Sequence, residues 1–422
     1  MLLIKKGKIT DPNSPYNGQK LDILIRDGRI IEVGKKIQVK DVPVLDLGDL
    51  HISIGWLDIG AQVGEPGFEH REDLATVTAA GAAGGYTGLA CFPNTHPVVQ
   101  SKSEVQFLKN HSGLVDFYPI GALSVACAGK DFAEIYDMYH SGAVAFSDGS
   151  NPIQSTGLMK RGLEYVKGIN GLLINHPSDA SMARGGQIHE GEVSTRLGMK
   201  GIPALAETLM LKRDLDLLEY TGSKLHIHNI STAGSVKLIK EIKQKHNNLS
   251  ASVSIMNLIA DHDALETFDV NYKVLPPLRT PGDRKALIKG LKNGIIEVIN
   301  SNHTPLETES KKLEFPYADF GVIGLETTYA LLNTHLGDQL SQEDFVRFLA
   351  INTRKILGLP IPSIREGEEA NLTLFQPLKE WNFTKSDVYS KSKNTPFLNK
   401  SFRGKVAGII NGRRSNLKTV KK

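Results

Sequence analysis

The sequence predicts an α/β protein: a (β/α)8 TIM-type barrel with a small β-sandwich domain assembled from the N- and C-terminal segments. Three observations carry this. Eight short apolar runs recur between residues 57 and 300, with helical patterns between them. Such regular alternation argues a parallel sheet with helices outside it. Eight units over roughly 250 residues match the usual span of a (β/α)8 barrel. The chain reads all-β before and after this stretch. A doubly wound open sheet is the competitor, and it is weakened because no early strand is followed by GxGxxG.

The elements follow in order. LDILIRDGRIIEVG is two short strands around Asp27-Gly28, a dipeptide suited to a tight hairpin. The barrel strands are expected at 57–61, 86–92, 115–120, 143–146, 171–174, 224–228, 250–254 and 296–300. Helical patterns separate them, such as AETLMLKRDLDLLEYTG before the sixth. Near the end, ANLTLFQP and GKVAGIINGRR read as short strands with turns at Gly408 and Asn411-Gly412. These terminal β segments can pair, which gives a small domain of residues 1–53 plus 363–422 and a barrel of residues 54–362.

Composition excludes several function classes. The 422 residues are 40% hydrophobic and 23% charged, an ordinary globular profile, and the net charge of +4 leaves no nucleic-acid footprint. No apolar run approaches the ~18 residues that would cross a membrane. The start, MLLIKKGKITDP, does not read as a signal peptide. Cys91 and Cys127 lie in apolar runs and read as buried free thiols in a reducing, cytoplasmic setting. The basic tail RRSNLKTVKK reads as a solvated end.

In a barrel of this kind the site lies at the C-terminal ends of the strands. The residues there are Gly60 and Gln62, Pro93-Asn94, Asp148, His176, Asn229, Met256-Asn257 and Asn302-His303. The first strand end, DIGAQVGEPGFEH, is a well-formed platform with almost no reactive side chain on it.

Several stretches carry a family resemblance: EPGFEHRE, FPNTHPV, GAVAFSDGSNP, GGQIHEGEVSTRLGMKGIPALAE, ISTAGSVKLIK, KVLPPLR, FGVIGLET, NTRKILGL and KNTPF. With these, the chain resembles the dihydroorotases of the amidohydrolase superfamily. The resemblance implies a pyrimidine-biosynthesis hydrolase that interconverts dihydroorotate and carbamoyl aspartate at a binuclear zinc site, with an aspartate moving the proton. It also implies where the ligands should be. Asp58 is kept, but the two histidines that follow in the family's motif fall on Gly60 and Gln62. The carboxylate after the fourth strand is kept as Asp148, and the histidine after the fifth as His176. The histidine after the sixth strand falls on Asn229, and the aspartate base after the eighth on Asn302. Four of the six ligand positions are thus replaced. In the substrate pocket Asn94 and His303 remain. The arginine before Glu-Pro-Gly has become Gly64, the asparagine before Pro-Pro-Leu-Arg has become Leu275, and a last histidine has become Leu306.

Strand alternation bears on whether a neighbour could compensate. If Asn229 faces the mouth, His228 and His226 face the helices. The charged segment 306–319 occupies the place of the family's mobile loop and reads as a solvated loop. The leading expectation is a pseudoenzyme: no confident catalytic residue, no metal, and a structural or regulatory role. The resemblance suggests aspartate transcarbamoylase as partner, and a homodimer is the commonest assembly. Two alternatives stand. One is an active cyclic amidohydrolase with zinc rearranged onto Asp148, His176 and one of His228 or His303. The other is a binding module for ureides or carboxylates.

Overall fold

The computed structural model describes residues 1–417; the end of the basic tail lies outside the described residues. The barrel strands are β1 (Trp56–Ala61), β2 (Tyr86–Cys91), β3 (Asp116–Gly121), β4 (Ala145–Phe146), β5 (Leu173–Asn175), β6 (Leu225–Ile227), β7 (Leu249–Ser254) and β8 (Val298–Asn300). They pair in sequence order, every neighbour parallel. Strands buried on both faces carry continuous apolar runs, which is why the sequence placed all eight. Several are shorter than expected, chiefly because pairing begins later, at residues 145, 173 and 298 rather than 143, 171 and 296.

The barrel closes between β1 and β8 through side chains and loops. Asp58 on β1 accepts the Ser301 backbone N–H at 2.9 Å and its hydroxyl at 2.5 Å. The Gln62 N–H donates to the His303 carbonyl at 3.0 Å. Inside, Leu57, Ile59, Ala90, Phe92, Ile120 and Ile174 belong to one packed cluster, so the barrel is filled rather than hollow.

The terminal segments hydrogen-bond into one sheet. Leu2–Ile9 pairs with Lys20–Arg26, which turns through Asp27-Gly28 into Arg29–Gly34. Both turn residues have positive φ (50° and 78°), as the hairpin signal required. His51–Ile54 then pairs antiparallel with Asn371–Phe383, which pairs with Lys400–Asn411. Gly408 is not a turn. The strand runs through it, and the register slips between Gly408 and Val406, so this glycine marks an irregularity in a long strand. The turn at Gly412 does form, leading to Arg414–Ser415. Trp56 joins the two parts: its ring packs 5.1 Å from Tyr329 and 5.5 Å from Phe375 (centroid to centroid), and its indole N–H donates to Ser53 Oγ at 3.0 Å.

Candidate functional site

Two cavities open at the strand ends. The inner one, about 90 Å³, is lined by Gly60, Gln62, His176, His228, Asn229 and Asn302, with Leu275, Thr304, Phe320 and others completing its wall. The outer one, about 290 Å³, includes Gln62, Gly64, Phe68, Arg71, Asn94 and Ser150. Gln62 and Ser150 border both.

The sixth strand departs from the expected alternation. Asn229 follows β6 with φ +56°, a left-handed turn that asparagine tolerates better than most residues. His228 keeps the face of His226, both rings reaching Ser252 Oγ, and this twist brings Asn229 to the inner cavity beside it. His226 also points into the barrel rather than towards the helices. Its ring lies between Ser250 Oγ (2.8 Å) and Ser252 Oγ (3.1 Å) on β7. Burial and the nearby Lys243 push its pKa down to about 3.

His228 fills space that a side chain at position 60 would need. A Cβ placed on Gly60 would sit 2.5 Å from His228 Cε1, and Gly60 itself has φ +89°. The ring meets Phe92 edge-on at 4.8 Å, and Nδ1 reaches Ser252 Oγ at 3.3 Å. Nε2 is buried without a hydrogen-bond partner. Burial, then the neighbouring His226 and His176, hold this imidazole well below its ordinary pKa, so it is neutral at pH 7. His176 contacts the His228 carbonyl through Nδ1 at 3.1 Å, an acceptor that fixes Nδ1 as the protonated nitrogen. Burial lowers its pKa as well.

The asparagines form a chain of amides. Asn300 Nδ2 donates to Asn229 Oδ1 at 2.7 Å, Asn229 Nδ2 to Asn302 Oδ1 at 3.0 Å, and Asn302 Nδ2 to the Leu275 carbonyl at 2.9 Å. Two positions at which the resemblance implies a ligand and a base are therefore hydrogen-bonded to each other. Asp148 is turned away from the cavity. It accepts the Ser124 N–H (2.8 Å) and hydroxyl (2.5 Å), and burial raises its pKa. Among the described residues, no three His, Cys, Asp or Glu side chains converge closely enough to hold a metal ion.

The substrate-pocket positions are divided. Leu275 lines the inner cavity; Gly64 and Asn94 line the outer. Asn94 is already engaged: its Nδ2 donates to the Asp148 carbonyl and its Oδ1 accepts from the Ser150 N–H. A Cβ on Gly64 would lie 2.2 Å from the Glu72 carbonyl oxygen, and φ there is +73°, so this backbone excludes an arginine. His303, expected in the pocket, is fully buried beneath it. Its Nδ1 accepts the Gly324 N–H and its Nε2 faces Glu72 at 3.3 Å. Glu72 supplies the buried carboxylate that holds the ring there.

Sequence reasoning missed Arg71. Its guanidinium lies over the Phe68 ring (5.3 Å) and pairs with Glu307 at 2.6 Å, so it stands beside the outer cavity with its charge balanced. Its nearness in sequence to Gly64 was the available signal. The 306–319 segment is also not simply solvated: Leu306, Lys311, Phe315 and Ala318 are buried. Lys273, 2% exposed, donates to the Phe315 carbonyl at 2.7 Å and lies 4.8 Å from the Phe320 ring centroid. Lys311 donates to the Val270 and Asp319 carbonyls. Two buried ammonium groups thus staple this segment down beside the inner cavity. Cys91 and Cys127 are buried and free.

Comparison with known proteins decides the lineage. A dihydroorotase from Pelotomaculum thermopropionicum is 39% identical over 417 residues, covering 98% of this chain and 97% of its own. The chain belongs to the dihydroorotase family. A dihydroorotase from Syntrophus aciditrophicus is 36% identical over 98% of both chains. The dihydro-orotase-like family profile matches residues 51–235. In fold, the chain is similar to an L-hydantoinase (dihydropyrimidinase) from Arthrobacter aurescens, with TM-score 0.87 at 20% identity over 100% of this chain and 97% of that one. No helix among the described residues is long and apolar enough to cross a membrane.

Proposed function

We propose that this dihydroorotase-family chain does not hydrolyse cyclic amides and serves pyrimidine synthesis as a cytoplasmic structural or regulatory subunit. The observation that carries the reading is the amide chain from Asn300 through Asn229 and Asn302 to the Leu275 carbonyl. An amide neither takes a proton at physiological pH nor competes with imidazole for zinc. A binuclear zinc centre does not fit these side chains. Positions 229 and 302 satisfy each other, His228 occupies the space at position 60, and Asp148 is spent on Ser124. His176 and His228 have their pKa values lowered by burial, and among the described residues no carboxylate lines the inner cavity.

The test is a dihydroorotase assay in both directions with added zinc, beside metal analysis of protein purified without chelator. Turnover at rates typical of enzymes, or two metals per chain, would overturn the reading. The partner we would expect is aspartate transcarbamoylase, on the strength of the family resemblance, with the chain itself a homodimer. Co-purification and size-exclusion chromatography test both. A chain that migrates alone and leaves the transcarbamoylase unaltered counts against the partner.

One observation favours binding without turnover as a second reading. The outer cavity keeps an open volume beside Arg71, Gln62 and Ser150. Thermal-shift titration with dihydroorotate and carbamoyl aspartate tests it, and no shift with either removes its support.

A further inference from the structure

A larger cavity lies on the outside of the barrel, away from the mouth. It holds about 450 Å³ between helix Pro281–Lys292 and helix Thr328–Leu336. Its floor is apolar: Leu258 and Leu336 are buried, and Ile288 is half-buried. Its rim is cationic, formed by Arg284, Lys285, Lys289 and Lys292. Lys285, Lys289 and Lys292 are exposed and recur at i, i+4 and i+7, so they project from one face.

Helix stability does not account for this row. Like charges at i, i+4 destabilise a helix. Cations near the C-terminal end suit the helix dipole, but Arg284 and Lys285 lie in the N-terminal half, where they do not. Arg284 is ion-paired, but the lysine charges are not neutralised in place. Asp261 meets Arg284 Nη2 at 3.3 Å, and Lys292 donates to a neutral amide, Gln339, at 3.2 Å. Among the described residues no carboxylate lies within ion-pair distance of Lys285 or Lys289. Phosphate oxygens are a natural partner for ammonium groups left without a carboxylate.

We propose that this groove binds a phosphorylated small molecule with a flat, apolar body, the chemistry of a nucleotide. The body rests on Leu258, Ile288 and Leu336, and the phosphates meet the Arg284 and lysine rim. The volume falls in the range of small-molecule sites. The site is separate from the barrel mouth, so it stands or falls independently of whether the chain is catalytically silent.

The experiment is calorimetric titration of the full chain at fixed ionic strength with inorganic pyrophosphate, a nucleoside triphosphate and the parent nucleoside. The triphosphate should bind at least tenfold more tightly than either fragment. The Lys289→Gln/Lys292→Gln double variant should weaken it at least tenfold, whereas Lys5→Gln/Lys20→Gln on the terminal sheet should leave it unchanged. Exposed lysine-to-glutamine changes are not expected to unfold the chain, and circular dichroism checks this. Three results would each overturn the proposal: no binding at millimolar triphosphate, equal loss in both double variants, or a polyglutamate peptide binding as tightly as the triphosphate.

Discussion

At the mouth of this barrel, carboxylates and amides share the same ring of strand ends, and their surroundings differ. Asp58 and Asp148 each accept both the backbone N–H and the hydroxyl of one serine, Ser301 and Ser124 respectively. Glu207 does the same with Ser231, and adds Thr232 and Ser235. These carboxylates tie one segment of the barrel to another. Asn229 and Asn302 are held by other amides and by a carbonyl, with no charge among them. The acids here clamp one element to another, whereas the amides bond to one another.

The largest effect should come from breaking a carboxylate clamp. Asp58→Ala leaves the Ser301 N–H and hydroxyl unpaired at the barrel seam and should cost about 3–5 kcal/mol in chemical denaturation. The pH dependence gives a finer check. Burial pushes the Asp58 pKa up to about 6, whereas the unfolded chain releases this proton near 4. Between those values the folded state holds the extra proton, so this group's contribution to stability falls as pH rises through 6. Asp58→Asn should flatten that part of the urea-midpoint profile between pH 4.5 and 7.5. An unchanged slope would show that another group carries it.

Next in size is the exchange between Gly60 and His228. Gly60→His alone forces a side chain into the His228 ring at a left-handed backbone position and should cost about 3 kcal/mol. Combining it with His228→Ala should recover part of this, giving a coupling above ~1 kcal/mol in a double-mutant cycle. Additive losses would mean that the two positions do not compete. Neither this pair nor Gly60→His with Gln62→His should give dihydroorotase turnover, because Asn229 and Asn302 are unchanged.

Smaller again is Asn302→Asp. It removes the N–H donor to the Leu275 carbonyl and should cost about 1–2 kcal/mol while leaving activity at background. The most local change is Lys273→Met. Global stability should shift by less than about 1 kcal/mol, since the methionine keeps most of the packing, but limited proteolysis should now cut within 306–319. Resistance equal to the unaltered chain would show that Lys273 is not the staple.

The barrel was legible in the sequence because parallel strands are apolar on both faces, and eight such runs at helical spacing leave few alternatives. The polar residues at the strand ends were legible because they depend on residue identity alone. Orientation was not. His228 shares the face of His226, and it is the left-handed Asn229 that turns in beside it, which strand alternation cannot anticipate. His303 was drawn out of the pocket by Glu72, a residue 231 positions away in the chain. Gly408 looked like a turn because a glycine in an apolar run signals a break as readily as a slip in register.

The pairing of Ser53 with Thr373 also sets an order of events during synthesis. The strand His51–Ile54 is made early, but its antiparallel neighbour emerges only after the whole barrel has been translated. At ordinary elongation rates that is a delay on the order of tens of seconds. Until then one edge of the N-terminal strands is open, with the backbone groups of an unpaired strand exposed to other nascent chains. The barrel has time to fold first and present Trp56 and Tyr329 as a surface against which the late strands dock. The wait for the last strands thus means that this small sheet cannot close before synthesis is nearly complete.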